Sequence, residues 1–383
     1  MEYATYSQTN PTIFGTGSVE VVGEKAKEFK CSKVMIVTDV GVVKAGVVDQ
    51  VKKPLEEAGL EVVVFDKVNP DPLDTVCVEG MEFGKAANID GIVAVGGGSV
   101  MDAAKAMNIL MTNPLPLSQY WGSWDYEKGL PLILIPTTAG TGSENTIYGV
   151  ISDTEIDAKK VVLTTGDLAI LDPALTYGLP AEVTANTGMD VFAHAAEAMT
   201  TIMTNPMTKM LAFDAIRRVT KYLPTAVEDP TNVEARENML IASNFAGIAF
   251  SNTCCHLGHA TSQCMGAAFH VPHGISCAWA LPETMAYAAE SKFEEVKEVA
   301  DALDVVYSDN ETPAEVGKKV ADTMRAFMRK MKIKGISEYG ITKEQLVGIA
   351  DMVMADNCFP FIPSPLNKEQ VEEFLGKVYE AYE

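Results

Sequence analysis

An apolar strand that runs into three glycines and then a helix, Ile92-Val93-Ala94-Val95-Gly96-Gly97-Gly98-Ser99-Val100-Met101-Asp102-Ala103-Ala104-Lys105, constrains the fold of this chain more than any other feature. Glycines let a backbone turn sharply and approach a ligand closely, and the N–H groups opening the new helix attract an anion. The segment therefore predicts a pyrophosphate site at Gly96, Gly97, Gly98 and Ser99. A plain strand-to-helix turn would use the same residues, and the spacing is not G-x-G-x-x-G. Ser99 and Asp102 are spaced as an N-cap and its N3 partner, so both are expected at the helix start.

Around this turn, short β-branched runs alternate with helical stretches. Val34–Val37, Val62–Phe65, Gly91–Val95 and Leu132–Ile135 read as strands, separated by helical segments such as Val48–Ala58 and Thr75–Ala87. Alternation of this kind predicts βαβ units and a mainly parallel sheet. Beyond Pro180 the β-branched runs fade. Apolar spacings of three and four predict helices over Thr184–Met199, Lys209–Tyr222, Val233–Phe250, Phe293–Ala302, Pro313–Met331 and Lys343–Met354. With 383 residues the chain is too long for one ordinary core. The expected organisation is an α/β nucleotide-binding domain over 1–179 and an all-helical metal- and substrate-binding domain over 180–383, with a cleft between them.

The charge balance narrows the partners. Fifty-two acidic against thirty basic residues give a net charge of −22, which disfavours nucleic acid and anionic membranes. No apolar stretch reaches the roughly 18 residues of a membrane span, and Met1–Tyr6 lacks the pattern of a secretory leader, so a cytoplasmic protein is expected. Seven cysteines without a Cys-x-x-Cys pair argue against a disulfide framework or a cysteine-ligated zinc site.

Two further features suggest ligand chemistry. Pro136-Thr137-Thr138-Ala139-Gly140-Thr141-Gly142-Ser143-Glu144 follows the strand Leu132–Ile135, and small polar residues after a parallel strand sit at its ligand-binding carboxyl end. A simple polar turn is the alternative. Asp39 closes the strand from Val34, where a carboxylate can accept the adenosine ribose hydroxyl and repel a 2′-phosphate, favouring NAD over NADP. An N-cap or turn aspartate would look the same, and the acid precedes the glycine turn, the reverse of the usual Rossmann order.

In the helical half, Gly188-Met189-Asp190-Val191-Phe192-Ala193-His194 puts Asp190 and His194 four residues apart on one helix face. The chain has five histidines, and the other four fall in His256-Leu257-Gly258-His259 and His270-Val271-Pro272-His273-Gly274. A carboxylate with several imidazoles suits Fe²⁺ or Zn²⁺. Each histidine alone would more often be an ordinary core or surface residue.

In this order, Gly96–Lys105, Pro136–Glu144, Gly188–His194 and His259…Pro272-His273-Gly274 resemble the iron-containing (group III) alcohol dehydrogenase family, over most of the chain from Phe14-Gly15-Thr16-Gly17 onward. The resemblance implies one divalent metal, Fe²⁺ before Zn²⁺, on Asp190, His194, His259 and His273, with His256 and His270 outside the ligand set. It also implies NAD(H), with its pyrophosphate on Gly97, Gly98 and Ser99, and Thr138, Thr141 and Ser143 along the nicotinamide side. Asp39 and Lys160 match cofactor-contacting positions, and members commonly form homodimers or larger homo-oligomers. Where many members carry a histidine four residues after the third ligand, this chain has Gln263, which cannot titrate, so His270 is the candidate proton relay. Asn357-Cys358-Phe359-Pro360 and the pair Cys254-Cys255 also depart from the family pattern. These departures bear on the substrate more than on the reaction.

The implied reaction is interconversion of a small primary alcohol, diol or hydroxy acid with its aldehyde or ketone. A glycerol dehydrogenase-type polyol oxidiser is the near alternative. A dehydroquinate synthase-like lyase, which also combines NAD with a divalent metal, would need a basic cluster for an anionic substrate, and only Lys209 and Arg217 or Arg218 lie near the ligands in sequence. A non-enzymatic metal-dependent protein would leave two ligand-cradling loops without a purpose.

Overall fold

The computed structural model describes residues 4–156 and 158–382; Met1–Tyr3, the first half of the stretch read for a leader, lie outside them. Two compact units result, one over Gln8–Leu179 and the other from Pro180 onward together with the described residues before Gln8.

The first unit is α/β. Its strands are β1 (Thr12–Phe14), β2 (Lys33–Val37), β3 (Glu61–Phe65), β4 (Gly91–Gly96), β5 (Leu132–Pro136), β6 (Tyr148–Asp153), β7 (Ala158–Leu163) and β8 (Leu168–Leu171). Its helices are α1 (Val22–Glu28), α2 (Val40–Lys44), α3 (Val47–Glu57), α4 (Asp74–Ala87) and α5 (Gly98–Thr112). Six strands form one parallel sheet in the order β1-β8-β5-β4-β2-β3, and β6 and β7 pair as a separate antiparallel hairpin.

Strand alternation sorts the central side chains into two cores. Met35, Ile92 and Leu134 join the core of α4 and α5, while Ile36, Val93 and Ile135 join that of α1 and α3. The central strands are thus apolar on both faces, which is why they stand out as continuous runs. Short β1 and β8 and the hairpin were not anticipated. β1 has three residues, and β6 alternates buried and half-buried positions, so neither forms such a run.

The second unit is all-helical among the described residues: α6 (Ala181–Thr200), α7 (Pro206–Glu228), α8 (Val233–Thr253), α9 (Leu257–Phe269), α10 (His273–Ala288), α11 (Phe293–Ala302), α12 (Pro313–Lys330), α13 (Lys343–Val347), α14 (Ala350–Ala355) and α15 (Lys368–Ala381). Local chemistry sets several starts. Asn205 and Thr208 form a reciprocal capping box ahead of α7, Thr312 and Glu315 do so for α12, and each helix has proline at its first position. The single helix expected over Lys343–Met354 is instead two, because α13 closes at Gly348 and α14 starts at Ala350. α9 and α10 escaped the periodicity reading because they are buried around much of their circumference, which removes the polar stripe that marks an amphipathic helix. No helix of the described residues is long and apolar enough to cross a membrane.

α6 is the central helix of this unit, buried almost continuously from Gly188 to Thr200. Gly274, the second residue of α10, fixes how closely that helix approaches it: a Cβ there would stand 2.0 Å from the Asn186 carbonyl oxygen. The close approach brings the start of α10 beside the turn that carries Asp190.

Candidate active site

In the α/β unit the glycine turn is a backbone cradle. Gly97 is the N-cap of α5, and no side chain caps this fifteen-residue helix. The capping expectation is thereby corrected: Ser99 lies inside the first turn, and Asp102 is turned away from the helix start. A serine N-cap would spend its hydroxyl on the first-turn N–H groups, whereas glycine leaves them to a ligand. The second loop lies directly over this turn. A Cβ on Gly98 would sit 2.5 Å from Thr141 Cγ2, and one on Gly97 would sit 3.2 Å from Thr138 Oγ1. The two polar segments therefore meet at the carboxyl ends of neighbouring strands β4 and β5.

A buried ion-and-hydroxyl network fixes that loop. Lys105, fully buried on α5, donates from Nζ to the Ser143 carbonyl at 2.7 Å and the Tyr148 carbonyl at 2.6 Å, with the Ser143 and Thr146 hydroxyls also in reach. Burial draws its pKa down to about 8, against the opposing pull of Asp102 and Glu144. Asp102 accepts from the Ser143 hydroxyl at 2.6 Å and from the Val150 N–H at 3.1 Å. Ser143 is buried, with its hydroxyl donating to Asp102 and within reach of Lys105, while Thr138 and Thr141 are half-buried. Asp39 caps α2, with Oδ1 accepting from the Val42 N–H at 2.9 Å. It is half-buried at the carboxyl end of β2, the strand beside β4. Lys160 is half-buried on β7, paired in register with Ile151.

The helical unit gathers the other candidates. Asp190 Oδ1 lies 3.6 Å from His259 Nε2 and 3.6 Å from His273 Nε2. His194, one turn after Asp190, has its buried Nδ1 3.5 Å from the same oxygen and makes no hydrogen bond with it. Its ring stacks against Phe250 at 4.1 Å and against His259 at 4.4 Å. Burial lowers the His194 pKa to about 3, so its ring is neutral and offers a lone pair.

Glu197, the next turn of α6, was not foreseen. Its Oε1 accepts the N–H groups of His256, Gly258 and His259 at 3.0, 2.9 and 3.2 Å, and its Oε2 accepts a short hydrogen bond from His259 Nδ1. Burial alone would raise this carboxyl; the His259 ring and the backbone donors outweigh it and hold the pKa near 2. With Nδ1 committed to Glu197, His259 presents Nε2 to the Asp190 carboxylate; burial opposes a charge on the ring, but Cys255, Cys277, Glu197 and Asp190 outweigh it and hold its pKa well above the ordinary imidazole value. A divalent ion can take the place of the proton between the carboxylate and the ring, so the donor set fits a divalent metal. The spacing 190, 194, 197 follows one helix face, and that signal could have revealed Glu197.

Comparison with known proteins agrees with this arrangement. The family model for iron-containing alcohol dehydrogenase matches residues 9–173, and that for the C-terminal part of the Fe-containing alcohol dehydrogenase family matches residues 184–379. The chain belongs to the iron-containing alcohol dehydrogenase family. It is 33% identical to an NAD-dependent methanol dehydrogenase of Bacillus methanolicus, covering 95% of this chain and 97% of that one. It is 36% identical to a choline dehydrogenase of Bacillus subtilis, covering 90% and 88%. A solved 1,3-propanediol oxidoreductase superposes with a TM-score of 0.93 at 31% identity, covering 98% of this chain and all of the other. As in that structure, a parallel-sheet α/β domain precedes a helical one.

Two histidines stand apart from the iron alcohol dehydrogenase cluster. His256 is fully buried with Nε2 2.9 Å from the Thr200 hydroxyl, and burial lowers its pKa to about 4. His270 caps α9 in the left-handed conformation, with φ 54°, and is exposed. Gln263 donates to Cys358 Sγ at 3.4 Å. The basic residues considered for an anionic substrate have acidic neighbours: Lys209 with Glu298 at 2.8 Å, Arg217 with Asp304 at 4.0 Å, and Arg218 with Asp214.

Proposed function

We propose that this protein interconverts a small primary alcohol, or a diol or hydroxy acid, and its carbonyl form with NAD(H), at one divalent metal site holding Fe²⁺ in preference to Zn²⁺. The observation that carries the reading is the buried Asp190 oxygen facing His259 Nε2 and His273 Nε2, each at 3.6 Å. Family membership supports the reaction class, and the methanol, choline and propanediol activities named for the relatives span its substrates. When bound, the metal supplies Lewis acidity toward the alcohol oxygen and the nicotinamide accepts or returns the hydride.

The chain's own residues supply positioning. Asp190, His194, His259 and His273 hold the ion, Asp190 adding negative charge and the imidazoles binding as neutral donors. Glu197 fixes the tautomer and orientation of His259. Gly97, Gly98 and Ser99 offer first-turn N–H groups to the pyrophosphate, with Gly96 shaping the turn, and Thr138, Thr141 and Ser143 belong to the loop along the nicotinamide side. Asp39 accepts the ribose hydroxyl, and Lys160 contacts the cofactor. We assign the α/β unit as the cofactor domain, the helical unit as the metal and substrate domain, and a cytoplasmic homodimer or larger homo-oligomer as the working form.

His270 is proposed as the proton relay, since it is three residues from His273, exposed to water, and Gln263 is unable to titrate. His270→Ala is expected to lower turnover and alter the pH–rate profile; full turnover with an unchanged profile would remove it from the mechanism. The paired basic residues of α7 leave little to support a lyase acting on an anion. The whole reading is tested by anaerobic reconstitution with Fe²⁺ or Zn²⁺ and a panel of alcohols and aldehydes, following NADH absorbance. Metal-dependent turnover of at least one primary alcohol is expected, and its absence across the panel would contradict the proposal.

A further inference from the structure

Cys277, one turn into α10 after His273, lies among the proposed metal donors. Its Sγ is 3.6 Å from Asp190 Oδ1, 3.8 Å from His259 Nε2 and 3.6 Å from His273 Nε2. The oxygen of Asp190 is 3.6 Å from each of those two nitrogens, and all four donor atoms lie within 4.8 Å of one another. Five of the six separations among one oxygen, two nitrogens and one sulfur therefore fall between 3.6 and 3.8 Å. A tetrahedron with edges of this length has its centre about 2.2 to 2.3 Å from each corner, close to a zinc–thiolate bond of about 2.3 Å and slightly longer than zinc bonds to nitrogen or oxygen of about 2.0 to 2.2 Å.

We infer that Cys277 is itself a metal ligand, its thiolate completing a mixed set with Asp190, His259 and His273. This rests on the metal reading proposed above and adds a donor to it. His194 Nδ1, buried and without a hydrogen bond, stands 3.5 Å from Asp190 Oδ1 as a further donor. The Ser262 hydroxyl, 3.1 Å from both Cys277 Sγ and His273 Nδ1, is placed to orient the sulfur and the ring. On binding, the S–H bond breaks, its proton leaves to solvent and a metal–sulfur bond forms, with no change of oxidation state. The spacing rule that speaks against a cysteine-rich zinc site does not apply to one thiolate among imidazoles. A soft ligand of this kind moves the site's preference toward Zn²⁺ relative to an all-nitrogen-and-oxygen set.

Cobalt(II) tests this without reference to turnover. One equivalent of Co²⁺ added anaerobically to the full-length metal-free protein is expected to give visible ligand-field bands and a near-ultraviolet sulfur-to-cobalt charge-transfer band. In Cys277→Ser the charge-transfer band should be lost while the visible bands remain, and in Cys255→Ser and Cys358→Ser both should persist. Visible bands without the charge-transfer band in the unmodified protein would overturn the role of Cys277 and leave the metal reading standing. Persistence of the band in Cys277→Ser would overturn it too, by assigning the sulfur elsewhere. Failure of the unmodified protein to bind cobalt at all would overturn both.

Discussion

The glycine turn of the α/β unit is proposed to offer backbone to the cofactor, whereas the cluster on α6, α9 and α10 presents side chains to the proposed metal. In the first, function depends on what is missing: no Cβ on Gly98, no side-chain cap on α5. In the second it depends on what is present, with Glu197 holding His259 and the Ser262 hydroxyl beside His273 Nδ1. The two should therefore fail differently. A change in the cradle alters the fit of a cofactor bound by many weak contacts, while a change in the cluster removes a charge or a lone pair from a buried site.

The sharpest break is Asp190→Ala, which deletes the only carboxylate that faces His259 Nε2 and His273 Nε2 among the described residues. Metal retention should collapse and turnover fall by about 10³-fold or more, equivalent to the several kcal/mol a Lewis acid provides. Metal analysis after dialysis and the rate at saturating NAD would measure both, and full metal content would contradict the assignment. Glu197→Gln keeps the shape but weakens the hold on His259 Nδ1. It should lower metal affinity by roughly 10- to 100-fold, read by competition with a chelating dye, with the NAD dissociation constant unchanged.

Gly98→Ala inverts that pattern. Its Cβ would meet Thr141 Cγ2 at 2.5 Å, so the loop must move and NAD(H) should bind roughly tenfold more weakly, about 1.4 kcal/mol, while metal content stays intact. Titration of NADH fluorescence would show it. The smallest effect is expected for Asp39→Gly. Removing the carboxylate should shift the ratio of kcat/KM for NAD and NADP toward NADP by roughly fivefold, about 1 kcal/mol for a half-exposed charge. An unaltered ratio would separate Asp39 from the cofactor.

The same contrast explains what could be read from the chain. The cradle is one continuous segment, so β4, the glycines and α5 were evident, as were the buried parallel strands whose side chains are apolar on both faces. The cluster spans residues 190 to 277, yet the scarcity of histidine made its members conspicuous. Groups without such a signature stayed hidden. Glu197 is one glutamate among many, distinguished only by complete burial and its three backbone donors. Cys277 was one cysteine among seven, and although it stands four residues after His273 on α10, its nearness to Asp190 and His259 depends on how α10, α6 and α9 pack. The misplacement of Ser99 as the cap and of Asp102 as its N3 partner arose because several residues near a glycine-rich start can serve as N-cap and only the backbone decides among them.

Anomalous diffraction from crystals of the protein loaded anaerobically with Fe²⁺ tests the central claim most directly. A single iron peak is expected between the Asp190 carboxylate and the His259 and His273 Nε2 atoms, about 2.0 to 2.3 Å from each. A peak bound elsewhere, or no peak in protein that turns over alcohol, would contradict it.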